Sequence, residues 1–297
     1  MEKRQFGKTD MQVSALGYGG AEIGFEGASL ENVTTLLNEA LDSGLNVIDT
    51  AAAYLASEEL IGQAVSNRRK DFYLFSKCGA AEGFTKFDWS KTGLLKHIET
   101  SLKALKTDFL DLIQLHSCNS ETLKQGEAIE ALETARQKGY TRYIGYSGDG
   151  QDAVFAIKTG AFDSLQTSIS IADQEAIDLL LPLAQNYNLG VIAKRPIANA
   201  VWRNSQKPEN AYHHPYWERI QKLKYDFLSS AESFSIALRF TLSQPGVCTA
   251  IVGTKQPGRW QANAKMLEAN GPLSNEEIAA ICSRWQEVGG KNWPGQV

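Results

Sequence analysis

The chain has 297 residues, of which 43% are hydrophobic and 22% are charged, and this composition excludes an intrinsically disordered chain. Its formal net charge of −4 is the opposite of the basic excess that nucleic-acid-binding proteins carry. We therefore expect a folded protein without a nucleic-acid partner.

The cysteines and the N-terminal segment give further expectations. Cys78, Cys118, Cys248 and Cys282 lie far apart without a CxxC pair, which argues against a disulfide framework and a zinc site. The first ten residues contain no apolar signal segment, and no run of about 18 apolar residues occurs. The sequence therefore predicts one domain over residues 1–297, no metal, no membrane association and a cytoplasmic location.

The chain opens with a segment that predicts a β-hairpin. Residues 3–14 (KRQFGKTDMQVS) contain turn-forming residues at 7–10, and we expect this hairpin to close the floor of the domain. After it, eight short apolar runs recur, and we interpret each as a buried parallel strand. The runs are Leu16–Gly19, Leu45–Asp49, Phe72–Lys77, Leu110–His116, Tyr143–Ser147, Ser164–Ser168, Gly190–Lys194 and Val247–Val252.

Amphipathic helical patterns separate these runs. Leu30–Asp42 has one apolar stripe with Ser29 as its N-cap, and Gln174–Tyr187 contains Pro182, which should kink it. Similar patterns cover Leu94–Leu105 and Glu127–Gln137. Eight strand–helix repeats predict an α/β fold of the closed (β/α)8 type, the TIM barrel. The alternative, an open doubly wound sheet, is disfavoured because no G-x-G-x-x-G motif follows any run.

The segment after the seventh run departs from the repeat. Residues 195–228 form a long loop insertion that contains His213, His214 and many aromatic side chains. Long loops at this end of a barrel cover active sites, so we expect a lid. The alternative is a surface excursion held down by its aromatic residues, and the two histidines are expected to pack rather than to catalyse. The aromatic residues are Trp202, Tyr212, Tyr216, Trp217, Tyr225 and Phe227.

Polar residues end three consecutive runs. Asp49, Lys77 and His116 end the second, third and fourth runs, and Tyr54 follows the second run in the segment DTAAAY. Neighbouring parallel strands lie about 4.8 Å apart, and active sites of barrels lie at the carboxyl ends of the strands. We therefore expect these four side chains to converge on one catalytic pocket.

The chemistry of these residues predicts proton transfer to a substrate oxygen. Lys77 should lower the pKa of Tyr54 from its ordinary value of about 10, while Asp49 keeps Lys77 charged. His116 should orient the same oxygen or share the proton. Such a site supplies neither a metal nor a covalent nucleophile, so a hydride from a nicotinamide is the natural partner.

Several segments together resemble the aldo-keto reductases. They are FGKTDMQVSALGYGG, GLNVIDTAAAY, LFSKCG, SLKALKTDFLDLIQLH and IVGTKQPGRWQAN, in that order over about residues 3–270. The resemblance implies a barrel that reduces a small-molecule aldehyde or ketone with NADPH. It also implies that Tyr54 is the general acid, that Lys77 and Asp49 tune it, and that His116 orients the carbonyl. None of these segments distinguishes a monomer from an oligomer.

The resemblance also assigns cofactor-binding residues by position. Ser147 and Gln166 match the side chains that hold the nicotinamide carboxamide, and Gly20 and Ala21 belong to the same cofactor-binding set. A segment near the C-terminus matches the one that binds the ribose phosphate and the adenine. Its residues are Gly253, Thr254, Lys255, Arg259 and Asn263.

Some positions depart from the family pattern. Gly148 replaces an asparagine after the fifth strand. Lys194 and Arg195 stand where the family often has an aromatic residue, so either one of them or another aromatic side chain should cover the nicotinamide. Gly253 stands where members of the family often have a lysine, and Lys255 is the expected substitute. The missing lysine leaves NADH as an alternative cofactor.

Two further expectations concern the phosphate-binding segment and the substrate pocket. Pro257 should stand just inside a helix whose N-terminus, together with Arg259, faces the phosphate, and the alternative for Arg259 is a solvated helix charge. The substrate pocket should be walled by residues 21–25, by the lid and by aromatic residues after the third strand. Those aromatic residues are Phe84, Phe87 and Trp89.

Two other functions compete with carbonyl reduction. A Schiff-base aldolase would use Lys77 or Lys194 as its nucleophile, and a charged Lys77 beside Asp49 would be a poor one. An NADPH-binding regulatory or redox-sensing protein with low turnover is the non-enzymatic alternative.

Overall fold

In a computed structural model of the chain, which describes residues 1–296, eight strands close into a parallel barrel. The predicted (β/α)8 architecture is therefore confirmed, and Val297, the last residue of the expected domain, lies outside the described residues. In chain order the strands are β1 (Lys3–Gln5), β2 (Gln12–Ser14), β3 (Leu16–Gly19), β4 (Val47–Asp49), β5 (Tyr73–Cys78), β6 (Ala80–Ala81), β7 (Lys86–Phe87), β8 (Leu110–His116), β9 (Thr141–Ser147), β10 (Ser164–Ser168), β11 (Gly190–Lys194) and β12 (Val247–Gly253).

The barrel strands pair in the order β10, β11, β12, β3, β4, β5, β8, β9, while β1–β2 and β6–β7 form separate antiparallel pairs. Helices follow the barrel strands and cover their outer faces. In chain order they are α1 (Ala21–Phe25), α2 (Leu30–Asp42), α3 (Ser57–Val65), α4 (Lys91–Ala104), α5 (Ser120–Lys124), α6 (Glu127–Gln137), α7 (Gly150–Lys158), α8 (Glu175–Leu179), α9 (Leu181–Asn186), α10 (His214–Leu223), α11 (Ser233–Leu242), α12 (Arg259–Asn270) and α13 (Asn275–Glu287).

Most element ends match the sequence-based predictions, and the differences have local causes. The Ser29 hydroxyl caps α2 by accepting from the Asn32 amide at 3.2 Å, as expected. Strand β4 begins at Val47 rather than Leu45, because the Leu45 amide still donates to Ala40 at the end of α2. Pro182 does more than kink its helix, since α8 and α9 are separate helices.

Other predicted boundaries were wrong by one to three residues. The helix predicted from Leu94 begins three residues earlier, because Ser90 caps it by accepting from the Gly93 amide at 3.1 Å. Strand β9 begins at Thr141 rather than Tyr143, and β5 runs from Tyr73 to Cys78 rather than from Phe72 to Lys77. Polar and charged side chains at these strand ends interrupt the apolar pattern on which the predictions relied.

The N-terminal hairpin closes the floor of the barrel, as predicted. Phe6, Met11 and Val13 are fully buried and pack against side chains from the amino-terminal halves of the barrel strands. These partners are Val47, Phe75, Leu112, Ile192 and Cys248. Two residues further along four of these strands, on the same inward face, polar residues form the next layer. That layer contains Asp49, Lys77, Gln114 and Lys194.

The insertion after β11 has features of both expected alternatives, the lid and the surface excursion. Its body contains α10 and packs against α13 through an apolar cluster that includes Tyr216, Ile220 and Trp285, as an excursion held to the surface would. Its aromatic Tyr212, by contrast, reaches the barrel face, where its hydroxyl accepts from Arg195 at 2.6 Å. The insertion therefore covers the carboxyl ends of the strands at one edge only.

Two structural features are absent from the described residues. Among the helices in residues 1–296, none combines the length and the apolar character that a membrane-spanning helix requires. Within the same residues, no group of three or more His, Cys, Asp or Glu side chains is arranged to hold a metal ion.

Candidate active site

Neighbouring barrel strands bring the four predicted catalytic residues to one face. Asp49 ends β4, Lys77 lies near the end of β5 and His116 ends β8, and all three side chains are buried. Tyr54 lies in the loop after β4, whose turn is fixed by a 3.0 Å hydrogen bond from the Tyr54 amide to the Ala51 carbonyl. Tyr54 keeps part of its surface exposed, so it lies at the mouth above the buried charges.

Direct contacts connect these side chains. The Lys77 ammonium donates to the Asp49 carboxylate and, at 2.8 Å, to the Thr50 carbonyl. The same nitrogen lies 4.9 Å from the centre of the Tyr54 ring, and the rings of Tyr54 and His116 are 5.6 Å apart between centroids. The structure therefore brings together all four residues that the strand ends predicted.

Lys77 keeps its proton in this environment. Burial favours its neutral form, but Asp49 and Tyr54 outweigh burial and raise the pKa of Lys77 above its ordinary value. Burial raises the pKa of Asp49, while Lys77 acts in the opposite direction. A buried cation held by an ion pair and a backbone carbonyl is a fixed charge beside the Tyr54 phenol.

The pKa of Tyr54 is raised rather than lowered. Desolvation by the surrounding protein is the largest cause, Lys77 acts in the opposite direction, and Asp49 adds to the rise. The expected effect of Lys77 is present, but the expected net lowering is wrong because burial outweighs one nearby cation. Tyr54 therefore stays protonated at neutral pH and is a proton donor.

His116 is neutral in this site. Burial, followed by the positive charges of Lys77, Lys194 and Arg195, holds the pKa of His116 well below its ordinary value. Its Nδ1 is buried and has no hydrogen-bond partner within residues 1–296. This favours the orienting role of His116 over a role in sharing the proton, since a neutral imidazole can donate one N–H bond.

Two glutamine amides complete the surroundings of Asp49. Gln114 and Gln166 donate to the Asp49 carboxylate at 3.4 and 3.3 Å. Sequence reasoning missed Gln114 because it is one polar residue inside the apolar run DLIQLH. The available signal was its position two residues before His116, which places both side chains on the inward face of β8.

Aromatic rings wall one side of the Tyr54 and His116 pair. The ring of Phe84 lies 4.9 Å from His116 and 6.2 Å from Tyr54 between centroids, and Phe25 stacks on Phe84 at 6.4 Å. Phe84 has a φ of +66°, a conformation that costs a non-glycine residue about 1 kcal/mol or more. The hairpin between β6 and β7 therefore holds Phe84 over the site against backbone strain.

The other two predicted wall residues lie elsewhere. Phe87 is exposed on β7, with 58% of its surface accessible, and Trp89 packs under the hairpin against Gly79. The prediction of an aromatic wall therefore holds for Phe84 and Phe25, but not for these two side chains.

Lys194 and Arg195 are held by partners on neighbouring strands and on the insertion. Lys194 forms a 2.8 Å ion pair with Asp149, a buried carboxylate that sequence reasoning had not singled out. Arg195 donates to Tyr212 at 2.6 Å and to Ser168 at 2.9 Å. These contacts place both cations at the edge of the barrel mouth below the insertion.

Gly20, Ala21 and Ser147 lie close to the catalytic residues. The Gly20 amide donates to the Asp49 carbonyl at 2.8 Å, and α1 begins at Ala21. A side chain at position 20 would clash, because its Cβ would lie 2.6 Å from the Ser57 hydroxyl. Ser147 pairs in register with His116 on one side and with Gln166 on the other.

Helix α12, which follows β12, begins at a different residue from the one predicted. Helix α12 begins at Arg259, with Gly258 before it at a φ of +77°, so Pro257 lies in a turn and not inside the helix. A left-handed residue is required to turn the chain into the helix there, and glycine adopts this conformation without strain. Lys255 forms a 3.0 Å ion pair with Glu26.

Gln166, Arg259 and Asn263 have chemistry suited to the two ends of NADPH. Oε1 of Gln166 is buried without a hydrogen-bond partner within residues 1–296, and it can accept from a nicotinamide carboxamide. At the other end, Arg259 and Asn263 line a cavity of about 400 Å³, and none of its lining residues within 1–296 is acidic. Thr254 is buried at the exit of β12.

Comparison with known proteins agrees with this geometry. The sequence profile of the Aldo/keto reductase family matches residues 15–286. An uncharacterized oxidoreductase, YqkF of Bacillus subtilis, is 30% identical over 97% of both chains. Among solved structures, the holo form of aldo-keto reductase AKR11C1 from Bacillus halodurans is 28% identical, with a TM-score of 0.83 over 96% of both chains. An aldo-keto reductase from Klebsiella pneumoniae in complex with NADPH is 26% identical, with a TM-score of 0.74 over 95% of this chain and 94% of that one.

Three findings define the class of this protein: the barrel with polar strand ends, the buried lysine beside a tyrosine, and the family match over nearly the whole chain. Together they define an oxidoreductase that acts on carbonyl groups. The chain belongs to the aldo/keto reductase family. Its function is the NADPH-dependent reduction of small-molecule aldehydes or ketones, as the sequence resemblance implied.

Proposed function

We propose that Tyr54 protonates the carbonyl oxygen of the substrate at the mouth of the barrel. When bound, NADPH supplies the hydride that the carbonyl carbon accepts. The carbon gains the hydride, the oxygen gains the Tyr54 proton, and the product is an alcohol. The observation that carries this proposal is the buried Lys77 ammonium 4.9 Å from the Tyr54 ring.

Lys77 stabilises the charge that develops on Tyr54 as the proton leaves. A cation that is already desolvated and fixed in place needs little reorganisation during the reaction. Asp49 and the Thr50 carbonyl hold the ammonium, and Gln114 holds the far side of the Asp49 carboxylate. These residues position Lys77 and are not expected to exchange protons with the substrate.

His116 orients the carbonyl, while Ser147 and Gln166 hold the carboxamide of the cofactor. Because the pKa of His116 is well below its ordinary value, its ring offers a hydrogen bond without a proton to give away. Ser147 lies between His116 and Gln166 in the sheet register. The substrate oxygen and the nicotinamide would therefore be bound at the same height along the barrel axis.

The two competing functions have less support. An aldolase needs a neutral lysine, whereas the pKa of Lys77 is raised beside Asp49. Burial lowers the pKa of Lys194, but its ammonium is held in an ion pair with Asp149. A regulatory protein with low turnover has no need for a buried ion pair beside a tyrosine, since holding that pair out of water costs free energy.

The aromatic wall favours carbonyl substrates with an apolar or aromatic body. Burying a phenyl ring against Phe84 and Phe25 contributes about 1.5–3 kcal/mol, which a hydroxylated chain of similar size does not gain. We expect kcat/KM for benzaldehyde to exceed that for glyceraldehyde by about tenfold or more. The measurement is NADPH oxidation with both aldehydes, followed by absorbance.

Two variants of the β6–β7 hairpin separate this explanation from a general effect on activity. Phe84→Ala should remove most of the preference for benzaldehyde. Phe87→Ala is the matched control, because that ring is exposed on the same hairpin. An equal or reversed preference in the wild-type enzyme would contradict the substrate class, and no NADPH oxidation with any aldehyde or ketone would contradict the proposed function.

The pH profile of reduction should be flat across the neutral range. Tyr54 must be protonated to act as the acid, and its raised pKa keeps it protonated well above neutral pH. The lowered pKa of His116 removes the inflection near pH 6.5 that an ordinary histidine would cause. The expected profile of kcat/KM is level from about pH 6 to about pH 8 and declines only in alkaline solution. An inflection near pH 6.5 that disappears in His116→Gln would instead assign a titrating role to His116.

A further inference from the structure

The cavity near α12 has an unusual distribution of charge. It opens between the insertion after β11 and the first turns of α12, and its lining includes two guanidinium groups, Arg203 and Arg259. Arg203 ends the short 3-10 helix Ala198–Arg203, so the two cations come from separate elements. No acidic residue among residues 1–296 lines the cavity, so both guanidinium groups meet there without a carboxylate in its walls.

We infer that Arg203 is a second cation of the site for the 2′-phosphate of NADPH, paired with Arg259 across this cavity. The inference rests on the proposed cofactor site and adds a residue from the insertion to it. A phosphomonoester carries between one and two negative charges at neutral pH, and guanidinium groups bind it through paired N–H donors. Two arginines from separate elements of the cavity lining therefore supply both charge balance and paired donors.

The remaining walls suit the adenosine that carries this phosphate. Trp202 and Phe234 present aromatic surfaces, against which a flat base can stack. The Trp202 Nε1 is buried and has no hydrogen-bond partner within residues 1–296, so it remains a donor. Asn263 is buried at the same cavity, and its amide can both donate to and accept from a base edge.

The need for a second cation follows from two features near β12. Gly253 provides no side chain where a lysine would otherwise stand, and Lys255 is engaged with Glu26 at 3.0 Å. Arg259 alone would leave part of the phosphate charge uncompensated. Arg203 supplies the missing charge from the insertion, so the cofactor preference depends on the insertion as well as on the segment after β12.

The test uses two nucleotides that differ only in the 2′-phosphate. Adenosine 2′,5′-bisphosphate and adenosine 5′-monophosphate are titrated calorimetrically into the full-length protein. Arg203→Gln should weaken the bisphosphate by about 10–150-fold, the range for one charge-assisted hydrogen bond, and leave the monophosphate within about twofold. Arg203→Lys should recover part of the loss. Lys207→Gln is the matched control, because it removes a charge from the same insertion outside the cavity, where Lys207 pairs with Glu218.

Each other outcome overturns the inference. Equal weakening of both nucleotides by Arg203→Gln would mean that Arg203 only holds the insertion in place. No weakening by Arg203→Gln would mean that Arg203 faces solvent. The same weakening by Lys207→Gln would mean that Arg203 acts only through the net charge of the insertion. The titrations need neither nicotinamide nor a carbonyl, so an enzyme that failed to reduce any carbonyl would contradict the proposed function without affecting this result.

Discussion

Replacing Tyr54 with phenylalanine should reduce carbonyl reduction by about 10²–10⁴-fold, the usual contribution of a positioned general acid. The variant keeps the ring, which packs against Phe25, Phe84 and His116, and loses only the hydroxyl that carries the proton. NADPH affinity should stay close to that of the wild type, because the proposed cofactor contacts come from other residues. The measurements are the single-turnover rate and the dissociation constant of NADPH by fluorescence.

Tyr187→Phe is the matched control for this experiment. Tyr187 is 40% exposed and follows helix α9 on the outside of the barrel. Its removal should leave the rate within about twofold of the wild type. Near-wild-type turnover in Tyr54→Phe would remove Tyr54 from the mechanism, whereas loss of NADPH binding would assign it a role in the cofactor site instead.

Replacing Arg259 with alanine should weaken NADPH by about 10–150-fold and leave NADH nearly unchanged. A charge-assisted hydrogen bond to the 2′-phosphate is worth about 1.5–3 kcal/mol, and the hydroxyl of NADH offers the guanidinium no charge partner. In the structure the Arg259 guanidinium donates to the Gln256 side chain at 3.2 Å and lines the cavity. Lys255 can compensate little while it is paired with Glu26. The measurement is fluorescence titration of both cofactors.

Lys265→Ala provides the comparison on the same helix. Lys265 is exposed on α12 and does not line the cavity, so its loss should change both cofactor affinities by the same small amount. Equal weakening of NADPH and NADH by Arg259→Ala would show that Arg259 supports the helix or the adenine. No weakening of either would place the phosphate elsewhere, or would indicate a protein that prefers NADH.

The barrel and its four catalytic candidates could be predicted because buried parallel strands carry a strong pattern. The runs Leu110–His116 and Gly190–Lys194 coincide with β8 and β11, since a strand covered on both faces is apolar until it reaches the polar mouth. The residue that ends such a run is therefore at the face where catalysis occurs. This reasoning located Asp49, Lys77 and His116 without any knowledge of their contacts.

Features that depend on contacts between distant residues could not be predicted in the same way. The β6–β7 hairpin has only two residues in each strand, which is too short for any periodic pattern, yet it sets the position of Phe84. The pairing of Lys194 with Asp149 joins two strand ends that the sequence separates by 45 positions. Likewise, the net pKa shift of Tyr54 depends on how much protein surrounds it, and composition carries no measure of that.

The apolar floor under the catalytic layer has an electrostatic consequence. Val47 lies two residues before Asp49, and Phe75 lies two residues before Lys77, on the same inward faces about 6–7 Å below them. With no polarisable solvent underneath, the field of the Lys77 charge is screened mainly from the open side of the barrel. The strength with which Lys77 acts on Tyr54 is therefore set partly by the N-terminal hairpin, through the low dielectric constant that Phe6, Met11 and Val13 maintain at the opposite end of the strands.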